Sequence, residues 1–251
     1  MKILGSDYDG TLNQNGITKI KLSAIKKWRE AGHKIGIVSG RGIDFQECLL
    51  QEIPQLKLDF FALCNGGYIT DSKGFIVYEA RCSNVSVPSL AADLLEWGSE
   101  LVHINGKQYA CVLKRHEDRP DWVLKEDVCL LENCPSFDYF NQVSVLMPSV
   151  EDSPAVVEKI KNKYSKWLDP LQNGRCIDIV PLGVNKAYGM YKVMEFFGGT
   201  YDDVITVGDN INDVDMISEF RSYAMKNGIE RIKVLADAIV SDVTEILEKE
   251  L

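Results

Sequence analysis

At 251 residues with 45% hydrophobic content, the chain is long enough to bury a full core as one large domain or two modest ones. Its 28 basic residues against 37 acidic ones leave a net charge of −9 and a pI near 5.0, which argues against a nucleic-acid backbone or an anionic membrane as partner. A small anionic substrate is still compatible with that charge where a metal ion reverses the local field.

Taken in chain order, Lys2 to Ser6 is a short apolar run of strand type that stops at the acidic turn "SDYDGTL". Thr18 to Ala31 carries Ile20, Leu22, Ile25 and Trp28 among lysines at roughly helical spacing, and Gly32 ends it. Lys34 to Val38 reads as a second strand, "IDFQECLLQEI" as a helix ending before Pro54, and "DFFALCNGG" as a third, buried strand. This strand and helix alternation is the rhythm of a parallel sheet. The rhythm breaks at "GGYITDSKGFIVYEA", a hairpin turning at "DSKG", and the chain beyond the hairpin mixes strands and helices irregularly. An inserted module of about 100 residues is expected there, over 82–182, with 1–81 and 183–251 forming the main domain. Beyond it, "GVNKAYGMYKVMEFFG" reads as a helix closed by Gly198, "DDVITVGD" as a strand and "INDVDMISEF" as a helix. The predicted class is α/β, a Rossmann-like parallel-sheet core with an inserted α/β domain.

In an open parallel sheet, ligands gather at the carboxyl ends of the strands. The residues that succeed the apolar runs there are Asp7 and Asp9, then Ser39 and Gly40, then Asp209. A polar residue at one strand end is commonly just the next helix's N-cap, but three such ends carrying Asp, Ser and Gly point to a site. Asp7 and Asp9 are two apart, so an extended chain would turn both carboxylates to one face and Tyr8 to the other. With Asp209 and Asp213 they would form four acids whose repulsion calls for a cation. All-oxygen ligation suits a hard ion, and Mg²⁺ fits because it also takes phosphate and water. Calcium is the competitor, but "DNINDVD" departs from an EF-hand loop at Ile211 and lacks its sixth-position Gly. Ser39 and Gly40 offer a hydroxyl and an N–H to phosphate oxygens. Lys186 begins a helix, where a lysine is ordinarily a solvated surface residue.

The blocks "DYDGTL", "IVSGR", "GVNK" and "VGDNINDVDM", in that order, resemble the haloacid dehalogenase superfamily of phosphotransferases. The position of the insertion resembles its Cof-type branch (subclass IIB), in which a large α/β cap selects the substrate. The resemblance implies Asp7 as nucleophile, forming an aspartyl-phosphate, and Asp9 as general acid and base. It implies Mg²⁺ held by Asp7, Asp9 through its backbone carbonyl, and Asp209, with Asp213 close by. Ser39, Gly40 and Lys186 are implied as phosphate-binding, with Asn212 as a further contact. The implied function is Mg²⁺-dependent hydrolysis of a small phosphorylated metabolite, sugar phosphates being favoured. A hexose phosphomutase and a non-catalytic sensor of phosphorylated ligands are the alternatives. Dehalogenation is set aside, since it requires neither the metal cluster nor the second aspartate. The departures are Tyr8 between the aspartates, Met225-Lys226-Asn227-Gly228 where the family often has M-G-N-A, and Asp242 where asparagine is frequent.

Within the insertion, Lys114, Arg115, His116 and Arg119 read as a solvated turn rather than a second phosphate site. His33, His103 and His116 are too scattered for zinc, and Trp97, Trp122 and Trp167 read as packing residues. The seven cysteines (Cys48, Cys64, Cys82, Cys111, Cys129, Cys134 and Cys176) never form C-x-x-C, so they are expected as reduced thiols in a cytoplasmic protein. No signal peptide or membrane span is read, and a monomer or homodimer is expected.

Overall fold

The computed structural model describes residues 1–107, 109–115 and 128–251; the expected turn residues His116 and Arg119 and the packing residue Trp122 lie outside them. The chain divides into two compact units, Met1–Glu79 with Asn185–Leu251, and Ala80–Val184.

The first unit begins with β1 (Ile3–Ser6), α1 (Lys19–Glu30), β2 (Lys34–Val38), α2 (Phe45–Glu52), β3 (Phe60–Leu63), β4 (Tyr68–Asp71) and β5 (Ile76–Glu79). The second holds α3 (Val87–Glu96), β6 (Leu101–Asn105), β7 (Ala110–Leu113), β8 (Val128–Leu130), β9 (Gln142–Leu146), α4 (Ser153–Tyr164), β10 (Leu168–Asn173) and β11 (Cys176–Pro181). The chain then returns to the first unit through α5 (Lys186–Phe197), β12 (Val204–Gly208), α6 (Val214–Glu219), β13 (Arg221–Met225), α7 (Glu230–Leu235), β14 (Ala238–Val240) and α8 (Val243–Lys249).

In the first unit an eight-stranded sheet runs β14-β13-β12-β1-β2-β3-β4-β5. Its first six strands are mutually parallel, and β4 and β5 add an antiparallel edge. Alternate residues of each central strand enter different cores: Leu4 packs with Ile25 and Trp28 of α1, Leu49 of α2 and Ile246 of α8, whereas Ile3 packs with Met190 and Val193 of α5 and Ile217 of α6. Helices therefore cover both faces, as a parallel sheet requires. β1 lies at the centre, hydrogen-bonded to β12 on one side and β2 on the other, so the ends of these three strands are neighbours.

The buried stripe of α1 differs from the one read from sequence. Ile20 is 71% exposed, while Lys21 is 2% exposed and shares its helix's inner face with Ile25 and Trp28, an i, i+4, i+7 stripe.

In the second unit a six-stranded sheet runs β10-β11-β9-β6-β7-β8, antiparallel except for the β7–β8 pair. α3 and α4 bury Leu90, Leu94, Val156 and Ile160 against Val102, Val145 and Ile177 of that sheet. All seven cysteines are free of disulfides. Among the described residues no helix is long and apolar enough to cross a membrane.

Candidate active site

β1 delivers its last residue, Ser6, into the core, and the chain leaves the strand at Asp7 (ψ 158°) for a tight turn over Tyr8–Leu12. The turn closes when Leu12 N donates to Asp7 O (3.1 Å) and Asn13 N to Tyr8 O (2.9 Å). Gly10 sits at φ +79°, and a Cβ there would lie 2.5 Å from an Asp209 carboxylate oxygen. Only glycine meets both conditions. The two carboxylates differ in exposure and in partner. Asp7 is buried at 6% exposure, whereas the Asp9 side chain is 57% exposed and its carboxylate accepts two hydrogen bonds from Arg41, at 2.8 and 2.7 Å.

The four-acid cluster expected from sequence is therefore three carboxylates and a lysine. Oxygens of Asp7, Asp209 and Asp213 lie within 4.8 Å of one another. Lys186, fully buried, donates to Asp7 Oδ1 (2.7 Å) and to Asp213 Oδ1 (2.5 Å). It is the first residue of α5, whose N-cap Asn185 accepts from Tyr188 N at 2.8 Å. The surface location ordinary for a lysine in that position is thus not the one it occupies.

Asp209 comes directly after β12, and Thr11 Oγ1 donates to its Oδ1 at 2.7 Å. A single turn, Ile211–Asp213, then turns Asp213 back: its Oδ2 accepts from the amides of Asp209 (3.0 Å) and Asn210 (2.9 Å). Asn212 is half-buried on that turn. Ser39, 3% exposed, comes directly after β2; its Oγ accepts from Arg41 N (3.2 Å), and its carbonyl accepts from Asn65 N (2.9 Å). Gly40 lies between Ser39 and Arg41, half-buried.

The electrostatics arise from one cation among three anions. Burial pushes the Asp7 carboxyl up to about 8; Lys186 opposes that shift and Asp213 adds to it. Asp209 is raised as well, first by burial, with the Thr11 hydrogen bond opposing. Burial disfavours the Lys186 ammonium, but Asp213 and Asp7 outweigh it, and its pKa ends above the ordinary lysine value. The lysine stays charged, and the raised Asp7 and Asp209 carboxyls hold a proton more readily than free aspartates do. A hard divalent cation fits that donor set: it would relieve the repulsion, and Asp7 and Asp209 each keep a second oxygen beyond those engaged by Lys186 and Thr11.

Two participants went unread in the sequence. Arg41 sits in the block "IVSGR", but its pairing with Asp9 crosses 32 residues, and its guanidinium also lies over the rings of Tyr8 (5.3 Å) and Phe45 (4.6 Å). Asn227, in the departing "MKNG" segment, donates through Nδ2 to Gly10 O at 2.9 Å.

The profile of the haloacid dehalogenase-like hydrolases matches residues 4–246. The chain is 41% identical over 249 residues to the 5-amino-6-(5-phospho-D-ribitylamino)uracil phosphatase YcsE of Bacillus subtilis, across 95% of this chain and 89% of that protein. It is 24% identical over 262 residues to a putative bifunctional phosphatase/peptidyl-prolyl cis-trans isomerase of Streptococcus pyogenes, across 98% of this chain but 52% of that protein, about half its length. A solved structure of a subclass IIB sugar phosphatase superposes with a TM-score of 0.79 at 18% identity, covering 100% of this chain and 99% of the other, which shows the shared fold.

The chain belongs to the haloacid dehalogenase-like hydrolase family. Within that family its fold is the one that the subclass IIB sugar phosphatase structure has.

Proposed function

We propose that the chain hydrolyses phosphomonoesters of small metabolites, with Mg²⁺ as cofactor and Asp7 as the nucleophile. The observation that carries this is the buried Asp7 carboxylate, 2.7 Å from Lys186 at the end of the central strand, with Asp209 and Asp213 beside it. A 41%-identical relative that acts on a ribityl phosphate and a fold shared with a sugar phosphatase favour polyol and sugar phosphates as the substrate class. The inserted module, 82–182, is the substrate-selecting cap in this reading, and the seven free thiols agree with a cytoplasmic setting.

Asp7, Asp209 and Asp213 would hold the metal, with the Asp9 carbonyl as the family resemblance implies. When bound, Mg²⁺ supplies charge neutralisation to the phosphoryl oxygens and draws Asp7 into its ionised form. An Asp7 oxygen attacks phosphorus and forms the aspartyl-phosphate as the bond to the leaving oxygen breaks. Lys186, with the Ser39 hydroxyl and the Gly40 amide, balances the charge on the transferring group. Asp9 gives its proton to the departing alkoxide, then takes one from the water that cleaves the aspartyl-phosphate. In the structure the Asp9 carboxylate is held by two hydrogen bonds from Arg41.

Phosphate release from a panel of sugar phosphates, nucleotides and an aryl phosphate, with Mg²⁺ and with chelator, tests the reading. Asp7→Asn should lower release by on the order of 10³-fold or more, and chelator should abolish it. Ligand binding without release from any compound would overturn it.

A further inference from the structure

Lys21 is the one residue of the buried face of α1 that carries a charge. It is 2% exposed, and Nζ faces four acceptors: Leu12 O (2.9 Å), Gln14 O (2.6 Å), Gly16 O (3.3 Å) and Asp242 Oδ2 (3.2 Å). An ammonium has three protons, so two serve the short bonds and the third is shared by the longer pair. Asp242 stands where the family frequently has asparagine. Its other oxygen caps α8 by accepting from Thr244 N at 2.9 Å, so Lys21 joins the loop after β1 to the start of α8.

That loop is the closing leg of the turn carrying Asp9. Leu12 donates its N–H to Asp7 O and gives its carbonyl to Lys21, and Asn13 N closes on Tyr8 O. The tip of the turn, Asp9 to Thr11, lies between this leg and three contacts on the other side, Thr11 to Asp209, Asn227 to Gly10, and Arg41 to the Asp9 carboxylate. The far side is thus held by active-site groups, and the near side by the turn's own backbone hydrogen bonds together with one buried ammonium.

We propose that Lys21, with Asp242, is a positioning residue that sets the turn presenting Asp9. This rests on Asp9 being the proton donor, and the experiment separates the two claims. An aryl phosphate has a leaving group that departs without a proton, whereas a sugar phosphate releases an alkoxide that needs one, so a misplaced Asp9 is felt mainly on the second ester. A general loss of stability would depress both alike.

The test is kcat/KM on p-nitrophenyl phosphate and on a sugar phosphate turned over by the wild type. It uses the full chain with Mg²⁺, below the melting temperature of each variant. Asp9→Asn should lose on the order of 10²-fold or more on the sugar phosphate and much less on the aryl ester. Lys21→Met, which keeps the buried stem, should shift in the same sense, losing about ten-fold more on the sugar phosphate than on the aryl ester. Asp242→Asn keeps the helix cap and removes the ion pair, so a smaller split of the same sign is expected. It carries the comparison if Lys21→Met does not fold. Equal losses on both esters in the folded Lys21 and Asp242 variants, beside a clear split in Asp9→Asn, would overturn the positioning role alone. No split in Asp9→Asn would overturn the proton-donor reading and this proposal with it.

Discussion

Asp7 shows what one residue's surroundings demand. An aspartate is ionised at neutral pH in water, yet burial raises this one from its ordinary 3.8 to about 8, with Lys186 opposing and Asp213 reinforcing the shift. Without metal, the folded protein keeps a proton that the unfolded chain has released. At this group the native state therefore binds more protons than the unfolded state between those two values, so its contribution to stability falls as pH rises through that window; His33, whose pKa burial lowers, contributes in the opposite sense. Lys186 adds no slope there, because its pKa rises from 10.5 and it is charged in both states. The expected outcome, read by thermal melts in chelator, is a melting temperature that declines as pH climbs from about 4 to about 8. Asp7→Asn should flatten the decline, and so should Mg²⁺, which displaces the proton. A wild-type melting temperature indifferent to pH and to Mg²⁺ would count against an excess of buried negative charge around Lys186.

At the scale of elements, the site depends on how closely the turn after β3 lies against α5. Gly66, at φ +92°, and Gly189 meet backbone to backbone: a Cβ on Gly189 would fall 2.6 Å from Gly66 Cα. The same turn holds the Ser39 segment, since Cys64 N donates to Arg41 O and Asn65 N to Ser39 O, both at 2.9 Å. Gly189→Ala should therefore push apart the two elements that carry Ser39 and Lys186. We expect a chain that still folds, less stable by about 1–3 kcal/mol, with kcat/KM on an aryl phosphate reduced by about ten- to a hundred-fold. A circular dichroism melt beside the assay checks both, and a destabilised but fully active variant would show that the contact does not govern the site. Much of this layer was legible in the sequence. Apolar runs that stop at Asp7, Ser39 and Asp209 mark strand ends, and Lys186 reads as the start of a helix, as it is the first residue of α5. The partners were not legible. Lys21 reads as one more lysine on a polar helix until the loop at 12–16 folds over it. The pairing of Asp9 with Arg41, 32 residues away, is likewise not in the sequence pattern. Periodicity reports which face is buried, and it is silent on what a buried charge meets there.

At the scale of the whole molecule, the chain makes its hydrophobic clusters separately in the two units. Among the described residues, the cluster around Phe140, Leu94 and Ile177 draws only on the Ala80–Val184 unit, and the two clusters flanking the eight-stranded sheet draw only on the other. Phe140 is fully buried, and its backbone exchanges hydrogen bonds with Cys82, N to O at 3.1 Å and O from N at 2.9 Å. It thereby ties the entering segment of the second unit to that unit's own core. Phe140→Ala should cost about 3–5 kcal/mol, a loss confined to the unit that contains it, because cooperative opening tracks shared buried contacts. Native-state hydrogen exchange is the measurement. Amides of β6, β9 and β11 should lose protection in the variant, while those of β1 and β12 keep theirs. The carboxylate cluster at the ends of β1 and β12 should then still take up Mg²⁺, read as a rise in the melting temperature of the first unit. Equal loss of protection in both sets of strands would mean that the two cores unfold as one block, and the separation of the clusters would carry no independence of stability.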